Sequence, residues 1–128
     1  MKILLDTNAF LWAHIDPERL GPHLPVVQRA STVRMVSAVV GWEIAIKHGL
    51  GRIELPEPPS SWVPSRVRRG AMTTVSIELA HVLAVGELED HHRDPFDRLL
   101  ISQANALGVP ILTADRIFER YDVETLMI

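Results

Sequence analysis

MKILLDTN, residues 1–8, is the stretch whose reading decides the fold. Ile3, Leu4 and Leu5 form a short apolar run that stops abruptly at Asp6, Thr7 and Asn8. A run this short and this apolar suits a strand buried on both faces of a parallel sheet. It begins at residue 2, which leaves no room for a leader ahead of it. Asp6 then stands where the strand ends, and ligands of open α/β sheets gather beyond the carboxyl ends of the strands. The plain alternative is that Asp6 caps the helical pattern Ala9–Ala13 that follows at once. The remaining acids decide between the two.

A chain of 128 residues, 47% of them apolar, predicts one globular domain over residues 1–128 with a real core. There is no cysteine, which excludes disulfides and thiolate metal sites and makes a reducing, cytoplasmic setting the natural one. No apolar stretch approaches the roughly 20 residues of a membrane span. The net charge of −3 is not that of an obvious nucleic-acid binder. Two divalent ions held by acids would turn that −3 into +1.

Outward from the first strand, helix is expected over Thr7–His14, ended by Asp16-Pro17, and again over Glu18–Ala30, where Gly21, Pro22 and Pro25 weaken the early part. Val33–Ser37 reads as strand two, and Ser37 caps a long helix from Ala38 to about His48. Residues 55–64, with four prolines, read as a loop entering a short helix with Arg66, Arg68 and Arg69. Met72–Val75 is a third strand, with Ser76 capping a helix to about Leu83. Asp94-Pro95 opens a helix to Leu107 that Gly108 ends. Val109–Thr113 is strand four, Asp115–Glu119 a helical turn and Val123–Met127 strand five. Strands alternating with helices predict an α/β fold, a three-layer α/β/α sandwich on a parallel sheet of about five strands.

Four acids carry the chemical argument. Glu43 has Val39, Val40 and Ile46 as helical neighbours, so it lies on or beside the core-facing stripe, where a carboxylate needs a partner. Its plain alternative is an exposed pair with Lys47 four residues on. Asp97 sits in the first turn of its helix beside Leu100 and Ile101; Asp115 follows strand four by two residues. Each has a reading as a cap or a helix-dipole partner. Together with Asp6 they converge on one edge of the sheet. Carboxylates gathered there repel one another, and hard divalent cations, Mg2+ or Mn2+, resolve the repulsion.

LLDTN at 4–8, GWEIAIK around Glu43, HRDPFDRLLISQA at 92–104 and ILTAD at 111–115 together resemble the PIN-domain ribonucleases, in particular the VapC-type toxins of bacterial toxin–antitoxin pairs. The resemblance covers essentially the whole chain. It implies a Mg2+- or Mn2+-dependent endoribonuclease that hydrolyses RNA phosphodiester bonds, is held inactive by a cognate antitoxin protein and forms a homodimer. It places the acidic metal site on Asp6, Glu43, Asp97 and Asp115, with Asn8 and Thr113 as supporting positions and Asp94 as the helix cap. Arg98 and Arg116, next to site acids, are the better candidates to meet RNA; Lys47, Arg66, Arg68, Arg69 and Arg93 read mostly as solvated surface. The adjacent His91 and His92 lack a partner at zinc-ligand spacing and read as loop residues. Trp12, Trp42 and Trp62 read as core or interface, with Trp62 a candidate for gripping a partner. Two other classes compete. A non-catalytic PIN-like RNA-binding or scaffold module would not need all four acids. A haloacid dehalogenase-like phosphatase needs a second Asp two residues after the first, where this chain has Asn8.

Overall fold

The structure, a computed structural model, describes residues 1–128. Five parallel strands form one sheet: β1 (Lys2–Leu5), β2 (Val33–Ser37), β3 (Thr73–Val75), β4 (Ile111–Thr113) and β5 (Thr125–Met127), in the order β3-β2-β1-β4-β5. β1 is central, with Leu4 opposite Met35 on one side and Ile111 on the other. Ile3, Leu4 and Leu5 are completely buried, which is why the run carries no polar alternation. Fully burying each such side chain stabilises the fold by about 2 kcal/mol.

Six α-helices cover the sheet: α1 (Thr7–Ile15), α2 (Leu24–Gln28), α3 (Ala38–Gly49), α4 (Pro59–Arg69), α5 (Leu79–Val85) and α6 (Pro95–Leu107). The chain steps from β1 through β2 to β3, then returns to place β4 on the other side of β1. Beyond the carboxyl ends of β1 and β4 the connections part in opposite directions, which opens the crevice where α/β sheets bind ligands. Asp6 and Asp115 follow those two strands.

The ends of α3 and α6 follow their capping chemistry. Ser37 Oγ accepts from the Val39 N–H at 3.0 Å, and Asp94 Oδ1 accepts from Phe96 and Asp97 at 2.8 and 3.3 Å. Gly108 ends α6 at φ +66°, a left-handed conformation that disfavours a side chain.

Four expectations are corrected. The helix predicted over Glu18–Ala30 is a 3-10 segment, Pro17–His23, followed by the short α2, because Gly21 leaves helical geometry at φ 57° and ψ −130°. α4 starts at Pro59, inside the predicted loop. Proline suits a first helical turn, and Trp62, 3% exposed, anchors the helix against Phe10 at a ring separation of 6.1 Å. Trp62 is therefore a core residue and not a grip for a partner. α5 starts at Leu79 after Glu78, and Ser76 does not cap it. There His81 Nδ1 accepts from the Glu78 N–H at 3.1 Å, and Gln103 bonds the Ser76 carbonyl at 3.2 Å. β4 and β5 are shorter than predicted, three residues each. No helix is long and apolar enough to cross a membrane.

Candidate functional site

Asp6 keeps its capping role at the end of the central strand. Its Oδ1 accepts from the Ala9 N–H at 2.8 Å and so caps α1, while the residue, 5% exposed, faces the crevice. Burial pushes its carboxyl up to about 6, helped by the charges of Glu43 and Asp115; the neighbouring Thr113 hydroxyl and the Ala9 N–H pull the other way. Thr113 is completely buried, and its hydroxyl also accepts from the Asp115 N–H at 3.0 Å. It braces the ends of β1 and β4 together.

Glu43 is buried on α3 and also paired with Lys47, so both of its sequence readings hold in part. Thr7 Oγ1 donates to its Oε1 at 2.6 Å, and Lys47 Nζ donates to its Oε2. That hydrogen bond is the main reason the Lys47 ammonium is held above its usual range.

Asp97, at the third position of α6, is the most perturbed acid. Its carboxyl is pushed up to about 8, first by burial and then by the charges of Asp94, Glu43, Asp6 and Asp115. The other three predicted acids are thus within electrostatic reach of Asp97. Asp115 is the most open of them, with its side chain 39% exposed against 17% for Asp97. Its Oδ1 accepts from the Ile117 N–H at 3.0 Å and caps the following 3-10 turn, Arg116–Arg120. Asp94 is spent on capping α6.

Asn8 does not join the site: it is exposed and makes no hydrogen bond with its side chain, and its neighbour Thr7 reaches Glu43 instead. Arg98 does not face outward. Its guanidinium donates to the carbonyls of Val85, Glu89 and His92 and to the Tyr121 hydroxyl, at 3.0–3.4 Å. Arg116 stays free, 82% exposed, with only Glu119 at 3.9 Å.

His92 is the residue that sequence reasoning missed. Its Nε2 lies 2.9 Å from Asp97 Oδ2 and 3.0 Å from Asp115 Oδ2, so it belongs to the site and not simply to the loop. No ligand-spacing rule points to it; the available signal was its place two residues before the Asp94 cap, on the approach to Asp97.

Three aspartates and a glutamate offer hard oxygen donors of the kind that suit Mg2+ or Mn2+. Burial first, and the neighbouring carboxylates second, raise Asp6 and Asp97, and a bound cation would favour both as carboxylates. The donor set fits such an ion.

Comparison with known proteins places these observations. Residues 3–124 match the family model of the PIN domain. Ribonuclease VapC16 of Mycobacterium tuberculosis is 41% identical over 56 residues, a match that spans 44% of this chain and 40% of the relative's length. The structure resembles the VapBC2 assembly of Rickettsia felis bound to a DNA fragment from its promoter, at a TM-score of 0.73, 19% identity and coverage of 100% and 99% of the two chains. It also resembles DNA-bound VapBC from Salmonella typhimurium, at 0.72, 18% identity and coverage of 99% and 98%. At such identities the structural likeness establishes the fold.

Proposed function

The chain belongs to the PIN domain family, and from that premise we propose that it is a divalent-metal-dependent endoribonuclease acting as the toxin of a toxin–antitoxin pair. One observation carries the reading. Four carboxylates from four separate segments lie within electrostatic reach of one another beyond the switch point of the sheet, and burial together with those charges pushes Asp97 up to about 8. A scaffold would gain nothing from that repulsion, whereas a cation site depends on it. The match to a named ribonuclease supports the substrate class, and the likeness to VapBC assemblies supports a partner protein.

Asp6, Asp97 and Asp115 would hold Mg2+ or Mn2+, with Glu43 completing the site. Such an ion would supply acidified water and neutralise the phosphate charge. Both Glu43 oxygens are already oriented by Thr7 and Lys47, and each keeps a lone pair. Glu43 therefore orients the attacking water. Asp94 keeps α6 in place, and Thr113 holds Asp6 and Asp115 in register. Arg116 offers an exposed cation beside Asp115 for an RNA phosphate. The substrate is RNA with accessible single-stranded stretches. The antitoxin and homodimerisation follow from the family resemblance.

The test uses purified protein with a labelled RNA. Cleavage should require Mg2+ or Mn2+, stop on addition of EDTA, and be lost in Asp6→Asn and Asp97→Asn. Cleavage at the parent's rate by both variants would sink the proposal.

A further inference from the structure

His92 lies in the midst of the acids, and its hydrogen bonds define its protonation pattern. The Asp94 N–H points at Nδ1 from 3.3 Å and can only donate, so Nδ1 accepts and the ring proton sits on Nε2. Nε2–H then donates to Asp115 Oδ2 at 3.0 Å, with Asp97 Oδ2 in contact at 2.9 Å. A metal ligand would need a lone pair on Nε2. Moving the proton to Nδ1 would set two N–H groups against each other.

The backbone that carries the ring is also held. The His92 backbone N–H donates to the Tyr121 hydroxyl at 2.8 Å, and Arg98 donates to the same hydroxyl at 3.1 Å. Arg98 further clamps the carbonyls of Val85 and Glu89 at 3.1 and 3.0 Å, so the loop between α5 and α6 is tied down along its length. The His92 ring rests edge-on against Phe118, which is completely buried. A loop histidine with no task would not require this frame.

We propose that His92 is a positioning residue of the metal site, carried on the loop that the Arg98–Tyr121 frame ties down, whose Nε2 edge fixes Asp115 and sets its spacing from Asp97 so that the two acids face one ion. The inference rests on the metal-site reading above. The bond to Asp115 Oδ2 and the 2.9 Å contact with Asp97 Oδ2 place one ring between the two acids and set their spacing. Outer groups that orient metal ligands in this way change metal affinity by about 10- to 100-fold when removed.

The experiment measures Mn2+ affinity from the free-ion electron paramagnetic resonance signal, with no RNA present. His92→Ala should weaken binding about tenfold or more, and His92→Gln, which keeps a side-chain N–H donor, should return it to within about threefold. Tyr121→Phe, which leaves every acid and His92 in place, should weaken binding in the parent but add nothing to His92→Ala. Asp97→Asn serves as the control. If it leaves Mn2+ binding unchanged, the metal-site reading itself fails. If it abolishes binding while His92→Ala binds as the parent does, the role of His92 alone is overturned. Tighter binding by His92→Ala would show that His92 competes with the ion. Nitrogen-14 modulation of the bound Mn2+ signal that disappears in His92→Ala would make it a ligand. Either result overturns the positioning role.

Discussion

Asp97→Asn should raise the stability of the metal-free protein, by an amount that depends on pH in a defined way. Asp97 has its carboxyl pushed from 3.8 to about 8, so the folded state favours the protonated form and the unfolded state does not. The stabilising effect of that proton is complete below about 3.8 and is lost as pH rises through about 8. Each pH unit between 3.8 and 7 costs about 1.4 kcal/mol, so the penalty at pH 7 is on the order of 4 kcal/mol. Asparagine keeps an oxygen that can accept from His92 Nε2–H while removing the charge. The variant should therefore melt with the parent near pH 4 and progressively above it toward pH 8, by about 15–20 °C at the top of that range. Thermal melts in EDTA across that range read this directly. Mn2+ should narrow the gap, since about hundredfold excess over Kd stabilises the parent by about 2.7 kcal/mol while the variant lacks a principal ligand. An Asp97→Asn protein that melts below the parent in EDTA at pH 8, or whose gain is the same at every pH, would refute the reasoning and return Asp97 to a helix-dipole role.

His14 sets the acid side of the stability profile. Burial, with Arg66 nearby, holds its imidazole down at about 4, and its Nε2 is buried without a partner. Its contribution is present above about 6.5 and is lost as pH falls through about 4, so His14→Leu should flatten the decline in melting temperature over that window; an unchanged decline would exclude His14 as its source. Arg116→Ala should raise the KM for RNA about 3- to 10-fold and reduce the salt dependence of binding by about one charge, with the melting temperature unchanged because the side chain is 82% exposed. A KM equal to the parent's at low salt would remove Arg116 from the RNA path.

The order of strands and helices was legible because local chemistry and tertiary demand agree in this chain. Ile3–Leu5 is apolar on both faces because it ends up in the middle of the sheet, and Ser37, Asp94 and Gly108 mark helix ends by hydrogen-bonding and backbone rules that operate within a few residues. Local rules failed where long-range packing outweighed them. Trp62 drew a proline-rich segment into helix by burying itself against Phe10. The four acids could be picked out one by one, since strand ends and buried stripes are periodic features of the sequence. That they could converge on one edge of the sheet was legible too, but the contacts within the cluster were not, because they depend on the return of the chain from β3 to β4 across β1.

Sequence by itself thus determined the α/β class, the central strand and the acids that crown it. Only the tertiary structure decided that Thr7 and not Asn8 serves Glu43, that Arg98 is spent on a loop, and that His92 stands between Asp97 and Asp115. The physical reason is range. A cap or an apolar stripe is an interaction between residues a few positions apart, whereas Thr7 and Glu43 are 36 residues apart and His92 and Asp115 are 23 apart. Such contacts are made by the packing of whole elements, and no spacing rule along the chain encodes them.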